Sequence, residues 1–315
     1  MCSKKLIVNH VWSDNIQSNI FSAVLSYHRK LSPKHIVHVD SIEPIDNADI
    51  WHYHRPHLED ALRPRSVTTV HHDLLDTDQW LGLMNFLPRY KEARRIICLN
   101  SEQEHLLKKQ GIENTVIIPH GYHEGVISYI PKKKENNNKY TLLISSRRYG
   151  RRVKGEGYLI ELLEYLNPEK VRFCLVGQDR SLDSYYMKKF GFEHRVYERL
   201  PYRMYGKLYQ DCHFLLMPSF HEGGPASIPE AVASGTPVFC NPIGMAKDLI
   251  VNSRNGIWLS MNAQKDGGVI NELLCDSDKL DDMFRISGSE STRSQAITWE
   301  QSVAKHCDLY EREIQ

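Results

Sequence analysis

Five absences bound this chain before any motif is read. Its 315 residues contain no run of 18 apolar residues, so no segment is suited to span a bilayer as a helix. The apolar run behind Lys4 and Lys5 is only three residues long, too short for a secretory leader. No GxGxxG follows a strand-like run, which removes the fingerprint of a dinucleotide-binding oxidoreductase. Charge of either sign is not in excess. The 40 Lys and Arg face 39 Asp and Glu for a net +1, so bulk electrostatics gives no case for nucleic acid. Paired cysteines are missing as well. Cys2, Cys98, Cys174, Cys212, Cys240, Cys275 and Cys307 are scattered without a CxxC, a pattern that suits a reducing, cytoplasmic compartment.

What is present is a repeated alternation. LIV (6–8) leads into a helix over about 15–31, then come HIVHV (35–39), ADIWHYH (48–54), SVTTV (66–70) and RRIICL (94–99). A helix near 101–110 and TVIIP (115–119) complete the first half. The polar SYIPKKKENNNKY (128–140) interrupts it and reads as a linker, with Lys132, Lys133 and Lys134 on a solvated face. TLLIS (141–145), a helix at about 155–166, VRFCLVG (171–177), CHFLLMP (212–218), TPVFC (236–240) and GIWL (256–259) then restart the pattern. Strands alternating with helices predict an α/β protein with two Rossmann-like, doubly wound parallel sheets. The expected domains are 1–127 and 140–297, joined by a linker at 128–139 and facing a central cleft where a ligand binds. Trp299, Val303, Cys307 and Tyr310 have helical spacing, so a helix over about 298–315 is expected to pack back on the first domain.

The most telling stretch is HEGGPASIPEAVASG (221–235). Glu222 opens a loop through Gly223, Gly224, Pro225 and Ala226, and Ser227 starts a helix carrying Glu230. Carboxylates beside the N–H groups of a helix N-terminus suit an anionic, hydroxyl-rich ligand. A structural reading stands beside it, because Ser227-x-x-Glu230 is also a capping box and Gly-Gly-Pro an ordinary turn. Behind TLLIS, five cations fall within eight residues: Arg147, Arg148, Arg151, Arg152 and Lys154. Arg forks and a Lys point charge fit phosphate oxygens, whereas a solvated basic loop is the plain alternative.

RYGRRVKG followed by HEGGPASIPEAVASGTPV resembles the C-terminal domain of the GT-B glycosyltransferases of family 4. These are retaining enzymes that use nucleotide-diphosphate sugars and carry a Glu-x7-Glu loop and helix. The resemblance implies that Glu222 meets the donor sugar, that Glu230 takes the ribose hydroxyls while still capping its helix, and that Arg148 and Lys154 hold the diphosphate. Arg147 is the alternative register for the arginine. SVTTVHHD resembles the element that brings a histidine to the sugar, which makes it His71. It also implies a UDP- or GDP-sugar as the donor substrate, no cofactor, and a glycan or lipid-linked glycan acceptor in surface polysaccharide or glycoconjugate synthesis. No DxD-type pair stands in a loop suited to a metal, so the cations take a metal's place.

The first half departs from the family's pattern. The loop NHVWSDNIQSN (9–19) has no glycine, and Asn9, Trp12 and Asp14, with His72, are the acceptor candidates. His52, His54 and His57 invite a metal reading, but no Cys or carboxylate completes a ligand set there. Leu83, Met84 and Phe86 read as core or a lid. RYKEARR (89–95) is the local segment that offers a peripheral contact to the inner face of a membrane. The expectation is therefore a metal-independent retaining glycosyltransferase, the alternative being a catalytically silent homologue that acts as a binding or scaffold subunit.

Overall fold

The structure, a computed structural model, describes residues 5–14, 19–132 and 139–315. Cys2, the start of the helix expected from residue 15, and Lys133 and Lys134 lie outside the described residues. Contacts divide the chain into two compact units, residues 1–121 with 297–315 and residues 122–296.

The first unit is built on β1 (Leu6–Val11), α1 (Asn19–Leu31), β2 (Ile36–Ser41), β3 (Ile50–Tyr53), β4 (Ser66–Thr69), α2 (Leu83–Glu92), β5 (Arg95–Cys98), α3 (Ser101–Lys109) and β6 (Thr115–Ile117). Its strands form one sheet in the order β2-β1-β3-β4-β5-β6, every pair parallel. The order reverses at β1, next to β3. That makes the carboxyl ends of these two strands the ligand-binding position of such a sheet. α2 carries Pro88 inside it and is a helix that the alternation of the first half did not predict. Phe86 joins the core, while Met84 (74% exposed) and its neighbour Trp80 (71%) face outward, which corrects the shared core reading.

The second unit contains β7 (Tyr140–Ser145), α4 (Glu156–Leu163), β8 (Val171–Val176), α5 (Ser184–Lys189), β9 (His194–Tyr197), α6 (Tyr205–Asp211), β10 (Phe214–Met217), α7 (Ser227–Ser234), β11 (Val238–Cys240), α8 (Met245–Leu249) and β12 (Gly256–Trp258). α9 (Ala263–Cys275), α10 (Ser277–Gly288) and α11 (Glu290–Arg293) follow. The sheet order is β12-β11-β10-β7-β8-β9, again parallel, with its switch between β7 and β10. Both faces are covered by apolar clusters, which is why the central strands are apolar without alternation.

The chain then returns to the first unit as α12 (Trp299–Glu313), opened by a capping box between Thr298 and Gln301. Val303, Cys307, Leu309 and Tyr310 bury themselves against Val8, Ile36, Ile50 and Ile97. Gly121 is required at the crossing, since a Cβ there would lie 2.4 Å from the carbonyl carbon of Thr298. Arg94 and Arg95 each donate to the buried carboxylate of Glu313, at 2.5 and 2.8 Å. Two arginines of RYKEARR are thus committed to α12.

Ile127, at the end of the expected first domain, is buried in the second unit with Val126 against it. Lys132 is not solvated. Its ammonium donates to the carbonyls of Tyr209 and Cys212, and burial pulls its pKa down to about 8.

Candidate functional site

At the switch point of the second sheet the strand ends and the N-terminus of α7 enclose a pocket of about 280 Å³. Ser145 and Ser146 from the end of β7, Lys154, Tyr202, Tyr205, Glu222, Pro225, Ala226, Ser227 and Glu230 line it. A larger hollow of about 1190 Å³ holds none of the expected site residues; it lies around Lys132, Arg172, Glu193 and Asp211.

Lys154 reaches the smaller pocket because the turn before α4 closes tightly on the strand end of β10. Gly155 takes φ +79°, and a Cβ there would lie 2.0 Å from the Pro218 carbonyl oxygen. Phe220 N–H donates to the Val153 carbonyl at 2.8 Å, so this turn and the loop carrying Glu222 are stitched together. Lys154 Nζ lies 2.6 Å from Glu222 Oε1, which also accepts from Ser219 Oγ at 2.9 Å. The expected phosphate cation and the expected sugar-binding carboxylate therefore hold each other.

The capping box expected of Ser227 and Glu230 is not formed. The N-cap is Ala226, one residue earlier, and no side chain caps α7. That register puts Pro229 at the third helical position, where its missing N–H leaves nothing for a capping oxygen to satisfy. Glu230 turns to Tyr202 Oη (2.8 Å) and Tyr209 Oη (3.0 Å), both donating to it. The first turn of α7 is thereby left without a side-chain oxygen, the arrangement that an anionic ligand completes.

Burial pushes the Glu230 carboxyl up from its ordinary 4.5 to about 7, against the two tyrosine hydrogen bonds, which favour the carboxylate. Between those values the folded chain binds more protons than the unfolded one, so this group's contribution to stability declines as pH rises. Glu230→Gln should therefore raise Tm over the parent at pH 8, with the gain vanishing near pH 4.5. Calorimetric scans at the two pH values check this, and an equal gain at both would refute it.

The expected arginines are not brought to the pocket. Arg148 pairs with Asp183, and Arg147 lies over the ring of Tyr149, 4.8 Å from its centroid. Asp183 is shared with Arg180, which is 1% exposed and donates to Ser146 O (2.7 Å) and Ser146 Oγ (2.8 Å). Arg180 thus buttresses the strand end beneath the pocket, and no motif in the sequence pointed to it. Tyr202, Tyr205 and Tyr209 were also missed, although their spacing of three and four residues places them on one helical face.

In the first unit, Asn9 does not face a ligand. It is fully buried, its Nδ2 donating to Ser41 Oγ (2.8 Å) and its Oδ1 accepting from Ile45 N–H (3.0 Å). Asp14 pairs with Arg55, and Trp12 stacks on His54 at 4.3 Å. His71 and His72 point apart, His71 to His54 and His72 onto Phe86. The Asp76-Thr77-Asp78 triplet closes turns, Asp76 on the Asp78 N–H and Asp78 on the N–H groups of Trp80 and Leu81.

Sequence reading did not foresee how many imidazoles this sheet buries. His10, His28, His38, His52, His54, His120 and His306 are all buried, and burial holds His10, His52, His54 and His306 well below the usual imidazole range. Ring nitrogens of His10, His52 and His54 lie within 4.8 Å of one another, a grouping that could hold a metal ion. His57, expected with them, instead packs at a tilt against Phe86, with ring centroids 3.9 Å apart. Every ring nitrogen of the three already has a hydrogen-bond partner: His38, His54 and His71 for the chain through His10 and His54, Tyr310 and Thr69 for His52. Histidines in matching phase on adjacent strands, as in NHV, VHV and WHYH, were the available signal.

Among the described residues no helix is long and apolar enough to cross a membrane. Comparison with solved structures places the fold. Sucrose-phosphate synthase from Thermosynechococcus elongatus superposes with a TM-score of 0.76 at 13% identity, covering 98% of both chains. HepE from Anabaena, solved with UDP and glucose, gives 0.73 at 16%, covering 98% of this chain and all of that one. At these identities the likeness concerns the fold, which is the GT-B arrangement of two Rossmann-like domains. In sequence, 110 residues are 26% identical to the N,N'-diacetylbacillosaminyl-diphospho-undecaprenol alpha-1,3-N-acetylgalactosaminyltransferase of Campylobacter jejuni. The match takes in 34% of this chain and only 28% of that protein's length. The model of the family described as "Glycosyl transferases group 1" matches residues 127–289, more than half of the chain and all of the pocket's lining, and the chain belongs to that family.

Proposed function

We propose that this chain is a retaining glycosyltransferase of the Glu-x7-Glu type. It moves a sugar from a nucleotide-diphosphate sugar, a UDP- or GDP-sugar, to a glycan or lipid-linked glycan acceptor. The observation that carries this reading is the convergence of Lys154, Glu222, Glu230 and an uncapped helix N-terminus on one pocket at a sheet switch point. The UDP-bound HepE structure and the lipid-linked glycan chemistry in the name of the Campylobacter relative support it.

Breaking the anomeric bond builds negative charge on the departing phosphates. The Lys154 ammonium and the first turn of α7 would offset that charge without a metal. Arrival of the diphosphate would draw Lys154 from Glu222 and free that carboxylate for sugar hydroxyls and a developing oxocarbenium ion. Glu230 would take the ribose hydroxyls, and Arg148 would join the phosphates on leaving Asp183. No residue is assigned as a general base, since the leaving phosphate can take the acceptor's proton. Peripheral contact with the cytoplasmic face of a membrane, through the RYKEARR segment (89–95), and a role in surface glycan synthesis belong to the same reading.

Calorimetric titration with UDP, GDP, ADP and TDP and their glucose conjugates tests the reading. One base should bind, and its sugar should be turned over; no binding by any of them would overturn it. The catalytically silent binding subunit is favoured by one observation, that Arg148 and Lys154 both stand in ion pairs, and binding without turnover of any donor would establish it. Transfer should persist in excess EDTA with no resident cofactor. Complete loss restored by Mn²⁺ would overturn the metal-free mechanism.

A further inference from the structure

Four buried or half-buried imidazoles cross the first sheet as one hydrogen-bonded chain. His38 Nδ1 meets His10 Nε2 at 2.9 Å, His10 Nδ1 meets His54 Nε2 at 3.0 Å, and His54 Nδ1 meets His71 Nε2 at 2.9 Å. The strand order β2-β1-β3-β4 is what aligns them, with parallel register keeping the four side chains on one face. The far end is Ser32, whose Oγ lies 2.7 Å from His38 Nε2 and accepts from the Cys307 thiol at 3.3 Å. The near end is His71, half-buried behind the end of β4, with no hydrogen bond to its Nδ1 among the described residues.

A neutral imidazole carries one N–H and one lone pair. Each inner ring of the chain uses both nitrogens on neighbours, so one donating direction, once chosen anywhere, holds at every link. All four are held below the usual imidazole range, with burial the largest cause, which keeps them neutral and leaves only that binary choice. Ser32 makes the choice. Its oxygen already receives the Cys307 S–H, and its own hydroxyl hydrogen has His38 Nε2 as the acceptor in reach. His38 then carries its proton on Nδ1, and so in turn do His10, His54 and His71.

We propose that the chain from Ser32 through His38, His10 and His54 locks His71 in the Nδ1–H tautomer, so that it meets a ligand as a neutral hydrogen-bond donor to a hydroxyl or ring oxygen. His38, His10 and His54 are positioning residues and His71 is the group presented. The inference rests on the transfer reading only for what that ligand is. The same occupancy speaks against a metal at His10, His52 and His54, since an ion would need the lone pairs that the chain consumes.

Long-range ¹H–¹⁵N correlation spectra of the ¹⁵N-histidine-labelled full chain test it without substrate. The His71 signal is identified by its loss in His71→Asn. His71 should be about tenfold or more in favour of Nδ1–H, as a single net hydrogen bond allows. Ser32→Ala, at the half-buried outer end, should bring that ratio near unity, and Ser32→Thr should restore it. An Nε2–H majority in the parent protein, or a ratio indifferent to Ser32→Ala, would overturn the proposal. So would stoichiometric Zn²⁺ uptake that shifts the His10, His52 and His54 signals together. Failure of every nucleotide to bind would defeat the transfer reading and leave the tautomer measurement standing.

Discussion

Alanine in place of Lys154 should lower the rate of sugar transfer about 10²–10³-fold, the cost of removing one preorganised donor from developing charge. Affinity for the nucleoside diphosphate should fall about tenfold or more, as expected for the loss of a hydrogen bond to a charged group. The geometry makes the effect larger than a lost surface charge. Lys154 is only 21% exposed and sits 2.6 Å from Glu222, so its removal also leaves that carboxylate with Ser219 alone. The two losses share one unit and should not add. The double variant Lys154→Ala/Glu222→Ala should cost well under the product of the two single effects. Single-turnover kinetics and calorimetric titration measure both quantities, and an unchanged titration would remove Lys154 from phosphate binding.

Gly155→Ala should be the most destabilising single-methyl change near the site. The backbone at φ +79° strains any side chain by about 1 kcal/mol or more. The added methyl would also meet the Pro218 carbonyl oxygen at 2.0 Å and its carbon at 2.8 Å. These are main-chain atoms directly behind β10, and neither can yield without shifting the strand end. A loss of about 3 kcal/mol places it among the severe backbone effects. For a unit of this size that is a Tm drop of about 6–12 °C. Gly150→Ala, with nothing within 4 Å, is the control that should leave Tm nearly unchanged. Scanning calorimetry distinguishes them, and similar transitions for both would show that the loop gives way freely. Because Lys154 and the Glu222 loop hang from this contact, transfer should fail together with stability in Gly155→Ala.

The central strands were legible because apolar runs such as TLLIS and VRFCLV are buried on both faces and have no other place to go. β9 was not, since HRVY is an edge strand that alternates between half-buried and exposed positions. α2 was hidden by Pro88 and by the outward-facing Met84. In the site, Lys154, Glu222 and Glu230 were legible as a pattern of charges. Which charge would meet which was not. Asp183, which captures Arg148, comes 35 residues later in a short turn that no spacing rule connects to RRYGRR. Composition also misleads about histidine. An imidazole counts as polar, yet when its partner is a second imidazole both can be buried, as His10 and His54 are.

The return of α12 to the first sheet has a consequence for the order in which the protein comes into being. The sheet β2-β1-β3-β4-β5-β6 emerges from the ribosome with one face lacking Val303, Cys307, Leu309 and Tyr310, and with no carboxylate for Arg94 and Arg95. At about 5–20 residues per second, the intervening 122–296 stretch keeps that face waiting for about 10–35 s. The second unit, continuous in sequence, can finish folding first. The half of the protein that is made first is therefore completed last, and a nascent chain stalled before residue 299 would expose an apolar face that a chaperone has reason to hold.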